Sequence, residues 1–224
     1  MPTAVASLLN NLTNYLMQML YTLPVLLIAF PIHECSHGLV AYALGDDTAK
    51  RQGRITLNPL KHLDPFGTIM LVIAHFGWAK PVPVNPNNFK NRKAGMALVA
   101  FAGPISNLIM GFLSLVLFKV FFSSLSGNIS TVQYVILDFI RYSVIINVGL
   151  FIFNLIPIPP LDGSRIIALF LPGKAEDFYY RYGSILQVAL IMLIFFGAFT
   201  GPLMQMENNV IVKFMNILQM SNLT

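Results

Sequence analysis

Four stretches of this chain, about 20 to 44, 95 to 122, 132 to 158 and 183 to 206, stay apolar long enough to cross a lipid bilayer. A helix rises 1.5 Å per residue, so about 20 apolar residues span a hydrocarbon core of roughly 30 Å. Composition agrees, with 56% hydrophobic and 10% charged residues, where a soluble domain has about a quarter of its positions charged. The expectation is an all-α polytopic membrane protein with about four transmembrane helices. No repeat, low-complexity tract or polar linker divides the chain, so residues 1–224 read as a single integral membrane domain with its core at about 20–171.

A fifth apolar run, Pro65 to Trp78, reaches only about 21 Å as a helix. Lys50, Arg51, Arg54 and Lys61 precede it, and Lys80, Lys90, Arg92 and Lys93 follow it. A full crossing would put one basic cluster outside, against the positive-inside tendency, so the run reads as a re-entrant or interfacial segment. With 45–94 on the cytoplasmic side, both termini fall outside. Residues 1 to 19 form an interfacial helix or extend the first span. The N-terminus has no basic residue before its apolar run and no small-residue cleavage site, unlike a removable signal peptide.

Eight of the fourteen Lys and Arg lie between Gly45 and Ala94. Basic charge beside membrane spans marks a cytoplasmic face, and no nucleic-acid partner is expected from the net charge of +5. Cys35 is the single cysteine, which excludes an intramolecular disulfide and a thiolate metal cluster. Any metal is left to nitrogen and oxygen ligands.

The stretch PIHECSHGLV sets His33, Glu34 and His37 inside the first span. Residues four apart share a helix face, so two neutral imidazoles can close on one ion. The H-E-x-x-H pattern pairs those zinc ligands with a carboxylate that takes a proton from water acidified by the metal. The competing reading is a pair of interface histidines with Glu34 matched to a buried cation. Intramembrane charges cost about 2.5 to 3.5 kcal/mol each on insertion scales, so an unused cluster is expensive.

A catalytic zinc needs a third protein ligand. In NLIPIPPLDGSRI, Asn154 to Ile166, prolines break a helix by removing its donors, and carbonyls freed at that depth must face protein or a wet cavity. Asp162 lies just past the break. It either completes a His, His, Asp site or N-caps a short helix from Gly163 to Leu171. With one span between them, the two motif-bearing spans run parallel and bring both motifs toward the cytoplasmic end.

These residues resemble the site-2 protease family of intramembrane zinc metalloproteases. The likeness rests on HECSH at 33–37 and NLIPIPPLDG at 154–163, with AGPISN at 102–107 and the stretches GRITLNPLKHLDPFGT and GWAKPVPVNP between. The resemblance implies one Zn2+ per chain held by His33, His37 and Asp162, with Glu34 as general base, and transmembrane-segment protein substrates. No inserted PDZ domain is seen, so a minimal form is expected, set in the lipid bilayer of a prokaryotic cytoplasmic (inner) membrane. A metal transporter and a noncatalytic helix-binding scaffold are the alternatives.

Asn107 and Asn154 are amides in a setting that penalises unsatisfied donors; they either bond neighbouring helices or hold the substrate backbone or oxyanion. A substrate must be extended to expose its carbonyls. The alternation in RITLN, around Ile55 and Thr56, and in Pro81 to Asn85 reads as a small β-hairpin-like region able to pair with it by strand addition, or as ordinary loops. His62 and His75 lack ligand-spaced partners and read as structural, and Cys35 as a packed, inert thiol.

Overall fold

A computed structural model describes residues 2–74, 77–125 and 127–220. The first helix, α1 (Pro2–Ala43), runs 42 residues, about 63 Å at helical rise. Residues 2–19 therefore extend the first span. α4 (Arg92–Ser124) and α5 (Thr131–Asn154) are the other two helices long and apolar enough to cross a membrane. Ser130 starts α5 with a capping box to Gln133, which satisfies two otherwise orphaned donors. α4 lies at the centre of the molecule, packed against α1, α5 and the short α6 (Asp162–Ala168).

The fourth expected span is not continuous. Residues 183–206 divide into α8 (Gly183–Phe195) and the start of α9 (Thr200–Ile217). The chain turns at Gly197, whose φ of +72° is one glycine adopts without steric cost. α7 (Gly173–Arg181) meets α8 at a bend of 54°, so this pair counts at most as one broken span or a re-entrant loop, giving three or four spans in all. α9 folds back on α5, with Phe214 and Leu218 against Val144, Val148 and Ile152. Lys119 bonds the Leu218 carbonyl at 2.5 Å, placing a cation where the α9 dipole ends negative.

The run at 65–78 contributes α3 (Pro65–Ala74), ten residues and about 15 Å long. The chain enters and leaves it side by side: Leu63 bridges Ala79, and Lys80 N–H donates to the His62 carbonyl at 2.7 Å. Trp78 lies directly on Gly67, where any Cβ would collide with its backbone. The two ends of the segment thus lie together, compatible with the re-entrant or interfacial form that the charge pattern predicts. His75 lies outside the described residues.

The β-hairpin-like region does not form. Among the described residues the Leu63–Ala79 bridge is the nearest approach to a sheet. At 54–58 the backbone turns on itself instead: Thr56 N–H donates to the Arg54 carbonyl at 3.1 Å, and Asn58 caps a 3₁₀ turn at Pro59–Lys61. Residues 81–85 run extended but unpaired with 54–58. Pro81 and Pro83 remove two of the donors a ladder would need.

Candidate metal centre

α1 presents His33 and His37 one turn apart, both buried, with their Nε2 atoms 3.0 Å from each other. The third group arrives from a break in the fold. α5 stops at Asn154, and residues 155–161 turn through a cis Pro159–Pro160 bond before α6 begins at Asp162. Asp162 does not cap α6; Leu161 holds the cap position, and no side-chain capping bond forms. Its carboxylate points at the histidines, with Oδ2 3.2 Å from His33 Nε2 and 3.4 Å from His37 Nε2.

The outer nitrogens fix the protonation pattern. His33 Nδ1 lies 2.5 Å from Asn107 Oδ1, and His37 Nδ1 lies 2.7 Å from the Val99 carbonyl. Both partners only accept, so each Nδ1 donates and each neutral ring keeps a bare lone pair at Nε2. Asp162 Oδ2 is buried without a hydrogen bond. Three lone pairs therefore converge with nothing positive between them, an arrangement that a cation resolves. Ligands 2.0 to 2.2 Å from a tetrahedral centre sit about 3.3 to 3.6 Å apart, close to the three separations here. Among the described residues, this is the group of three such side chains able to share one ion.

Gly103 on α4 keeps that volume open. A Cβ there would sit 2.5 Å from His33 Nε2 and 2.5 Å from His37 Nε2. Gly163 plays the matching role below Asp162, because any side chain would strike the backbone of Leu155 and Ile156. The donor set, the unbonded oxygen and the glycine-lined space all fit a metal ion.

Asn107, read either as a bond between helices or as a contact to the substrate or oxyanion, has both ends committed between helices. It is fully buried, accepts from His33, and donates through Nδ2 to Asn147 Oδ1 at 3.0 Å. Asn147 donates to the Ser143 carbonyl at 2.9 Å, and Ser143 Oγ meets Ser114 Oγ at 2.8 Å. This polar line across α4 and α5 orients the His33 ring. Asn147 escaped the sequence reading, although an amide within a span is itself a signal. Asn154 Nδ2 donates to the Leu150 carbonyl of its own helix at 3.0 Å.

Glu34 is buried beside the histidines, and its Oε2 accepts the Val82 N–H at 2.8 Å. The segment Lys80–Asn85 forms a strap over Glu34 and is pinned at both ends. Arg54 donates to the Lys80 carbonyl at 2.7 Å, and Asn85 N–H donates to Asp46 Oδ2 at 2.7 Å. Asp46 is fully buried; burial alone would raise its pKa, but hydrogen bonds from Thr48, Asn85 and Asn88 outweigh that and hold it below the usual carboxylate range. Ile55 sits near the same place: a Cβ on Gly38 would lie 3.0 Å from Ile55 Cγ1 and 3.5 Å from Val82 Cγ1. The Thr56 carbonyl meets His62 Nε2 at 2.8 Å, and His62 is fully buried, in keeping with a structural role. Cys35 is buried and free.

Packed spanning helices around a His, His, Asp ligand set, with a carboxylate adjoining the first histidine, define a membrane-embedded metallopeptidase. The sequence profile of Peptidase family M50 matches residues 21–197, and the chain belongs to that family. It is 49% identical over 156 residues to YwhC of Bacillus subtilis (strain 168), a protein provisionally named a zinc metalloprotease, covering 68% of this chain and 69% of that one. Rip2 of Mycolicibacterium smegmatis, named in the same way, is 31% identical over 61% of this chain and 52% of its own length. Protease RseP of Yersinia pestis is 34% identical over 35% of this chain and 21% of its own. The matched region thus spans about half of Rip2 and a fifth of RseP. No solved structure matches the chain.

Proposed function

We propose that this protein hydrolyses peptide bonds within or next to transmembrane segments of membrane-protein substrates, with one zinc ion held by His33, His37 and Asp162. Bound there, zinc supplies Lewis acidity to water and to the scissile carbonyl. Glu34 takes the proton from the attacking water and passes it to the leaving nitrogen. Val82 N–H holds Oε2 of Glu34, leaving Oε1 as the oxygen free to accept. Asn107 and the Val99 carbonyl keep both imidazoles in the tautomer that offers Nε2. Ile55, which shares the neighbourhood of Gly38 with Val82, and the adjoining Thr56 serve the extended substrate. Asn154, at the end of α5 where the broken segment begins, is a further substrate contact.

The observation that carries this reading is the convergence of three lone-pair atoms, each on a buried side chain, around a space that Gly103 leaves clear. The zinc assignment draws on the names of the relatives. The basic loops support a site toward the cytoplasmic side, and the bacterial sources of the relatives support a prokaryotic inner membrane. Purified protein is expected to carry one zinc per chain, and Glu34→Gln to keep the metal while losing cleavage of a reconstituted transmembrane substrate by about a hundredfold or more. Equal cleavage by both proteins removes Glu34 from this role.

A further inference from the structure

A second cavity, of about 280 Å³, opens between the first turn of α4 and the α6–α7 corner, away from the metal centre. Its lining includes Arg92 and Lys93 from α4, Arg165 from α6, and Glu176 and Tyr180 from α7. Lys93 is matched: Nζ lies 2.5 Å from Glu176 Oε2 and 2.9 Å from the Leu171 carbonyl. Arg92 and Arg165 make no ion pair or hydrogen bond among the described residues. Arg165 is only partly exposed, and Tyr180 lies close enough to feel its charge, but no carboxylate pairs with it among the described residues. Such a group faces an anion at a discount in desolvation, and a guanidinium fork suits the oxygens of a phosphate.

Depth identifies the carrier. α4 has 33 residues, about 50 Å, against roughly 30 Å of hydrocarbon. Gly103, at the metal centre, lies about 16 Å along α4 from Arg92. The basic cluster Lys90, Arg92 and Lys93 marks this end of α4 as the one that reaches the headgroup layer, with Gly103 deeper. The rim beside the cavity is apolar, with Leu169 37% and Phe170 73% exposed, as a surface meeting acyl chains should be. A soluble anion would have no use for that rim, whereas basic pockets between spanning helices take lipid headgroups.

We propose that this cavity binds the phosphate group of an anionic phospholipid through Arg92 and Arg165. The site shares α6 with Asp162, so a lipid held there also braces the helix that delivers the third ligand. The binding itself involves no catalysis, so it stands or falls separately from the proteolytic reading.

Full-length protein is reconstituted with phosphatidylglycerol or phosphatidylcholine, extracted in detergent and examined by native mass spectrometry. The wild type is expected to retain one phosphatidylglycerol per chain, and Arg92→Gln/Arg165→Gln to retain about 30-fold less, the weight of two basic side chains against an anionic surface. Phosphatidylcholine retention should be equal and low in both. Equal phosphatidylglycerol retention overturns the proposal, and so does displacement of the lipid by millimolar inorganic phosphate or glycerol phosphate, which assigns the cavity to a soluble anion. Retention of an acidic peptide in preference to lipid overturns it as well. A second measurement does not depend on the folding of the double variant: Tyr180→p-benzoylphenylalanine, irradiated in phosphatidylglycerol membranes, should cross-link to lipid, while the same group at Lys50 should not. Cross-linking that is absent at 180, or equal at both positions, counts against the site.

Discussion

The two histidines and the aspartate reach one point by unlike routes. On α1 the helix itself sets the spacing: His33 and His37 stand a turn apart because 3.6 residues make a turn, and distant partners, Asn107 and the Val99 carbonyl, only orient their rings. At 155–163 the chain leaves its helix, folds through a proline-rich corner and returns Asp162 from an element of seven residues. Its position depends on contacts far from the carboxylate, above all the close seat of Gly163 on Leu155 and Ile156. A ligand pair built on local periodicity should tolerate disturbance that a ligand built on tertiary closure cannot.

Substitution at the two glycines separates these routes. Gly103→Ala places a methyl 2.5 Å from both Nε2 atoms, so it blocks the ion despite leaving every ligand in place. Metal analysis should find zinc stoichiometry falling from one toward zero, with activity down by more than about a hundredfold, beyond the usual cost of a lost supporting contact. If Gly103→Ala keeps full zinc, the ion lies elsewhere. Gly163→Ala pushes α6 away and should weaken zinc by about 10- to 100-fold in competition with a chelator. The His33/His37 pair stays intact and holds residual metal. A variant indistinguishable from wild type would show that Asp162 needs no such seat.

Asn107→Ala probes the α1 side at one remove. It frees the His33 ring and leaves Asn147 Oδ1 without the donor that Asn107 Nδ2 supplies. Zinc affinity is expected to fall by about tenfold, with Asn107→Asp recovering part of it because the acceptor oxygen is restored. Equal affinity in the wild type and in both variants would mean that the imidazole is oriented by packing alone.

The smallest effect concerns the strap over Glu34. Asp46→Ala removes the acceptor shared by the half-buried Thr48 and Asn85 and the exposed Asn88, and a hydrogen bond lost where water can replace it costs about 0.5 to 1.5 kcal/mol at most. Because the folded pKa of Asp46 is lowered, its stabilisation is fully present above the ordinary carboxylate range and is lost as pH falls through the lower folded value. Hydrogen exchange at 82–88 should therefore speed up in acid for the wild type and be fast at every pH for Asp46→Ala. Exchange that ignores both changes would detach Asp46 from the strap.

The same contrast explains what the sequence reveals. The His33/His37 spacing and the proline break are local features, and the structure shows both. For Asn107 the sequence leaves helix-to-helix bonding and substrate contact both open, and it cannot name the partners, which stand 74 and 40 residues away. The alternation in RITLN is real, but Pro59 and the Arg54 side chain divert the backbone before a partner strand can form. The expected span at 183–206 fails at Gly197, where apolar composition persists but the helical path does not.

Glu34 takes its hydrogen bond from a peptide group, and Pro81 and Pro83 leave Val82 as the sole backbone N–H donor between Lys80 and Val84. Alanine scanning is blind to such a contact: Val82→Ala alters the isopropyl group and spares the amide hydrogen. Selection can therefore let the side chain at this position drift in size and shape, while a proline there, or an ester linkage introduced by synthesis, would silence it.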